Sequence, residues 1–118
     1  MAGIKDQLNE LIKVDGVKTA VVVGRDGFVI EGITSDGSVD IDAVGAVIST
    51  GLGTAEVMGR ELKVGGLTQA MQEYDEGVLV MSALGAEALL CLVCQLEANL
   101  GMVRFQTKKH IPALRAAM

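Results

Sequence analysis

The chain has no tryptophan, one tyrosine and two phenylalanines among its 118 residues. Proteins that bind single-stranded nucleic acid stack bases on aromatic rings, so this poverty argues against such a platform. Its one histidine, His110, has Lys108 and Lys109 beside it near the C-terminus, which reads as a solvated position rather than a catalytic base. Ser49, Thr50 and Ser82 therefore have no histidine at helical or strand reach to activate them. "GLGTAE" (51–56) superficially resembles a phosphate loop, but no strand leads into it and no lysine follows at the required spacing. No catalytic, cofactor-binding or metal-binding residue is expected.

Cations are also short. Ten Lys/Arg stand against fifteen Asp/Glu, a net charge of −5, which weighs against a general binder of nucleic acid or anionic membranes. The balance is uneven: from Ala98 onward there are four cations (Arg104, Lys108, Lys109, Arg115) and no acid, leaving −9 on the rest. The expected role of these four is a solvated helix face, where cations near a C-terminal end suit the dipole. The longest apolar run, Ala88–Cys94, has seven residues, far below the roughly 18 needed to cross a bilayer, so no membrane insertion is expected. "MAGIKDQLNELIK" carries charge where a signal peptide needs an apolar block, which predicts a cytoplasmic protein with reduced cysteines.

There are only two cysteines, and they form C-x-x-C at Cys91 and Cys94. The spacing suits a zinc half-site, a redox dithiol or a chance pair inside a strand. "ALLCLVCQ" (88–95) is strand-like, and side chains alternate along a strand, so positions 91 and 94 face opposite ways. Their Cα atoms should stand roughly 10 Å apart at about 3.3 Å per residue. A disulfide needs about 4.4–6.8 Å. The two thiols are expected to be inert core.

What the sequence does have is 50% hydrophobic residues, enough for one domain, 1–118, with a real core. Ile4, Leu8, Leu11 and Ile12 recur at helical spacing, and Asp15-Gly16 ends that helix. "VKTAVVV" (17–23) and "FVIEGI" (28–33) are strand-like, and Asp26-Gly27 between them signals a hairpin. A long helix is predicted from about Ile41 to Lys63, with Ser38, Asp40 and Asp42 at its start and Gly65-Gly66 as its stop. Three more strands follow at 67–74, 78–83 and 88–95, and Asn99 caps a last helix. The order is α-β-β-α-β-β-β-α. Residues 78–83 and 88–95 are apolar at nearly every position, so they need cover on both sides. The fold class is therefore α/β, a five-stranded antiparallel sheet with helices on each face and the polar segment 67–74 at an edge.

The long helix carries the clearest signal. Ile41, Val44, Ile48, Gly51, Ala55, Met58 and Leu62 form one seam, expected to pack on the sheet. Gly45, Gly51, Gly53 and Gly59 also lie inside it, each costing roughly 1 kcal/mol relative to alanine. Close backbone approach is the usual compensation. Gly45, Ala46, Ser49 and Gly53 make a second, smooth stripe with Asp42 before it and Glu56 and Arg60 after it, which reads as a surface for another protein.

The succession "VDGVKTAVVVGRDGFVIEG" (14–32) and "EGVLVMSALGAEALLCLVCQLEANLGMVRF" (76–105) resembles the Roadblock/dynein light chain domain family. The resemblance implies a Roadblock-like (profilin-like) sandwich and a dimer, either a homodimer or a pairing with a Roadblock paralogue. In the family the long second helix and third strand pair with their counterparts. Carried over, the interface comprises Ile48, Leu52, Ala55 and Met58 on the helix and Leu67, Gln69, Met71 and Glu73 on the strand. Single-domain members commonly act with small Ras-like GTPases, which bind the paired helices. That implies Asp42, Gly45, Ala46, Ser49, Gly53, Glu56 and Arg60 as the GTPase-binding candidates.

The first functional reading is thus a non-enzymatic dimer that regulates or scaffolds a small GTPase. If hydrolysis is stimulated, Arg25 and Arg60, the only arginines before residue 104, are the candidates for a donated side chain. The alternative is a nucleotide-independent structural adaptor in a motor or polarity complex; a thiol redox protein rests on Cys91 and Cys94 alone. Pro112 departs from the family pattern. It removes the bond to Lys108 and predicts a kink or break there, with loose contacts beyond Ile111.

Overall fold

The computed structural model describes residues 3–118. Its elements are α1 (Ile4–Ile12), β1 (Val17–Gly24), β2 (Val29–Thr34), α2 (Ile41–Glu61), β3 (Gln69–Tyr74), β4 (Gly77–Leu84), β5 (Ala88–Cys94) and α3 (Leu100–Ala116). All strand pairs are antiparallel, in the order β2-β1-β5-β4-β3. The valine-rich β1 and the leucine-rich β5 are central, as residues apolar on both sides require. β3 is an edge, as its polarity predicted; β2 is the other.

Two cores follow from the alternation of side chains. On one face Ala20, Val22, Val78, Val80, Leu90, Leu92 and Cys94 meet Leu8 and Leu11 of α1 and Val103 and Leu114 of α3. On the other, Val21, Val23, Met81, Leu89 and Cys91 meet Leu52 of α2, with Ile41 and Ile48 packed at the margin. The two cysteines are free and buried in different cores, as the strand reading required.

Helix ends match their sequence signals. Asp40 caps α2 by accepting a bond from the Ala43 N–H at 3.3 Å, and Asn99 caps α3 through the Met102 N–H at 3.1 Å. α2 ends at Glu61, two residues short of the predicted Lys63. The Val64 N–H reaches the Gly59 carbonyl at 2.9 Å and the Lys63 N–H reaches Arg60 at 3.1 Å, with Lys63 left-handed at φ 59°.

Pro112 does not break α3, which runs on to Ala116. The proline and Lys108 are both exposed, so the carbonyl that loses its donor faces water, and fully buried Leu114 holds the last turn on the core. His110 is not simply solvated either. Its Nδ1 lies 2.7 Å from Gln7 Oε1, joining α3 to α1. Burial and nearby Lys109 lower its pKa, partly offset by Glu10.

Candidate interaction surface

The long helix meets the sheet along a different line from the one its apolar seam suggested. Only Gly45 and Leu52 are buried, and its contacts run principally to β1, β2 and β5. On a helix of 3.6 residues per turn the buried line 41-45-48-52-56 is rotated by roughly a fifth of a turn from the seam. The seam's Val44, Gly51 and Ala55 are half-buried, and Met58 and Leu62 are exposed, Leu62 by 70%. Val47, on the outer side, is 71% exposed. By length and composition alone this helix passes as a membrane span, but it is docked on the sheet as one layer of the domain.

The turn between β1 and β2 explains the rotation. Gly24 N–H donates to the Phe28 carbonyl at 2.8 Å, and Asp26 Oδ1 accepts from the Phe28 N–H at 3.1 Å, with Gly27 at φ 90°. This tight turn lies against α2. A side chain on Gly45 would run into the Gly27 carbonyl, so the glycine permits the approach. Ser49 Oγ donates to the Arg25 carbonyl at 3.0 Å. The Arg25 guanidinium forms a bidentate pair with Glu56 and also donates to the Gly85 carbonyl at 3.1 Å. Both side chains are about three-quarters removed from water, at 27% and 23% exposed, and Arg25 Nε has no partner.

The predicted GTPase-binding stripe is therefore split. Gly45, Ser49 and Glu56 are engaged by the chain's own turns and do not form an open surface. The turn also holds Arg25, which is not a free side chain to donate. Asp42, Ala46 and Arg60 remain exposed, and Gly53 is half-buried with nothing within 4 Å of where a Cβ would stand. Asp42 and Ala46 line a groove of about 410 Å³ with Asp26, Gly27, Phe28 and Val29. Sequence reasoning missed Phe28 there; its signal was an aromatic ring directly after a turn.

The dimer candidates divide as well. Leu52 is fully buried in its own core, so it has nothing to offer a partner. Ile48 packs at the margin of that core, Ala55 is half-buried and Met58 is exposed. Leu67 packs on the same core. Gln69, Met71 and Glu73 pair in register with Ser82, Val80 and Val78, which places their side chains on the α1/α3 face. There Arg104 Nε donates to Gln69 Oε1 at 2.9 Å, and Gln69 Nε2 to Ser82 Oγ at 3.3 Å. The β3 side chains on the α2 face are Ala70, Gln72 and Tyr74. On that same face Leu79 and Val93, paired in register, are only half-buried, because α2 lies over the other end of the strand order.

Nothing among the described residues gathers three or more His, Cys, Asp or Glu as metal ligands. The thiols are poor nucleophiles. Burial, with Cys94 adding a smaller repulsion, pushes Cys91 up to about 12, and burial pushes Cys94 up to about 11.

The apolar outer flank of α2 and the β3 edge are thus both left open, on a sheet closed from behind. Residues 3–94 match the Roadblock/LC7 domain family, and the chain belongs to it. It is 38% identical over 109 residues to the uncharacterized protein MJ0714 of Methanocaldococcus jannaschii, covering 92% of this chain and 91% of that one. Among solved structures it is similar to the Roadblock/LC7 domain from Streptomyces avermitilis, with TM-score 0.87, 20% identity, and 98% and 97% of the two chains covered. It is likewise similar to Myxococcus xanthus MglB, with TM-score 0.86, 17% identity, and 97% and 84% covered.

Proposed function

We propose that the protein is a non-enzymatic dimer that binds a small Ras-like GTPase and regulates or scaffolds it. The observation that carries this reading is the state of α2: an apolar helix whose outer flank, from Gly51 through Met58 to Leu62, is left uncovered by the described residues. Exposed apolar surface of this extent marks an interaction site. The uncovered strip holding Leu79 and Val93 leaves room beside α2 for a second copy of the helix. The β3 edge offers backbone groups for a second copy of the strand. The family resemblance points the same way, to paired long helices that carry the GTPase. On this chain the surface left for it is Asp42, Ala46, Gly53 and Arg60, with Phe28 and Asp26 at the groove.

The test is light scattering coupled to size exclusion, with the chain alone and mixed with a Ras-like GTPase from the same organism. The GTPase is loaded with GDP in one run and with a non-hydrolysable GTP analogue in the other. A dimer that takes up the GTPase only in the triphosphate form supports the reading. A dimer indifferent to nucleotide moves the function to a structural adaptor, and a monomer at all concentrations overturns both. Should hydrolysis be stimulated, Arg60→Ala tests whether this chain donates an arginine.

A further inference from the structure

All three aromatic rings are exposed, and the cores are built from leucine and valine instead. Phe105 stands on the outer face of α3, 61% exposed. On a helix of 3.6 residues per turn, Arg104, Lys108 and Arg115 share one flank of that face and Lys109 lies on the other. Phe105 and Pro112 run between them. All four cations are exposed, and none is in an ion pair among the described residues, although acids outnumber cations in the chain. Arg104 spends its Nε on a neutral glutamine. No acid occurs after Glu97, so the face is cationic in a protein of net charge −5. α3 also lies outside the residues 3–94 that match the family, and on the opposite side of the sheet from α2.

We infer that the outer face of α3 is a peripheral docking surface for an anionic lipid membrane. Unpaired cations flanking an exposed ring suit a bilayer interface, where the ring settles at headgroup level and the cations meet lipid phosphates. A helix on the outside of a sheet is convex. It fits a flat, deformable surface, whereas peptide ligands are taken up in grooves or at sheet edges. The charge is local to α3: α1 and its C-cap, on the same side of the sheet, carry Lys5 and Lys13 against Asp6 and Glu10 and add no net charge. In the dimer proposed above, on which this clause alone rests, both α3 helices lie on one side of the joined sheet and double the contact. The α2 pair then faces away from the bilayer, free to hold its partner.

The test is co-sedimentation of the full chain with vesicles of phosphatidylcholine alone and of phosphatidylcholine mixed with phosphatidylglycerol. It is run at low and high salt, with the mass of the same sample read by light scattering. Sedimentation is expected only with the anionic vesicles, and it should fall with salt. Reversing two lysines in K108E/K109E should weaken it by roughly tenfold or more. Phe105→Ser should weaken it with unchanged salt dependence. No sedimentation with anionic vesicles at low salt overturns the inference, as does undiminished binding by K108E/K109E. Binding to polyglutamate without vesicle binding overturns it in favour of an acidic protein partner. A dimer that ignores vesicles sinks the lipid contact alone; a monomer that binds them sinks the dimer and keeps the lipid contact.

Discussion

The sheet is covered on both faces, but the two covers differ in kind. Behind it, α1 and α3 together bury Leu8, Leu11, Val103 and Leu114 completely, and β1, β4 and β5 beneath are sealed. In front, α2 contributes one fully buried side chain, Leu52, and leaves Leu79 and Val93 half in water. A domain can have one finished face and one unfinished face when the second is completed by another molecule. The glycines of α2 show the same division within one helix. Gly45 and Gly59 have the chain's own Gly27 and Gly65 carbonyls against them, whereas Gly51 and Gly53 face open space.

Substitutions on the two faces should have different costs. Leu90→Ala, in the sealed core, should cost about 3 kcal/mol in urea unfolding. Leu62→Ser, on the unfinished face, should leave the dilute monomer's stability nearly unchanged while weakening association. Equal costs would mean that both faces are finished. Gly45→Ala should destabilise by about 1–2 kcal/mol, because the Gly27 carbonyl must give way. Gly53→Ala should stabilise the monomer by about 1 kcal/mol through helix propensity, and Gly53→Arg should leave it folded yet abolish association with the GTPase. Full GTPase binding by Gly53→Arg would remove the flank of Asp42, Ala46, Gly53 and Arg60 from the partner surface. Glu56→Gln should cost about 1 kcal/mol by loosening the Arg25 pair, a value held down by the residual exposure of both groups. Lys63→Gly should gain about 0.5 kcal/mol by relieving the left-handed backbone, less the extra freedom glycine brings to the unfolded chain. Thermal melts resolve the last two.

The element order, the two-sided cover of β4 and β5, the β3 edge and the opposed cysteines were all legible in the sequence, because alternation and turn residues are local signals. The line along which α2 docks was not. Apolar periodicity marks which side of a helix avoids water, and here the helix has two such demands, one met inside the chain and one left over. The stronger seam belongs to the leftover. Gly45 looked like surface because its reason is Gly27, eighteen residues earlier in a turn. Glu56 looked like a charged rim because Arg25, itself tied to the Gly85 carbonyl, reaches it only after the sheet has formed. Pro112 misled for a related reason. The rule against proline holds for a helix alone, and Leu114 anchors this one from beyond the proline.

Cys91 and Cys94 sit three positions apart on opposite sides of the same strand, one under each cover. The molecule therefore carries two clocks. A thiol reagent in solution reaches Cys91 when the α2 layer lifts and Cys94 when the α1/α3 layer lifts, so labelling one sample times both openings at once. In a lone subunit Cys91 should be labelled first. Seating a partner on α2 should lengthen its wait and leave the Cys94 interval as it was.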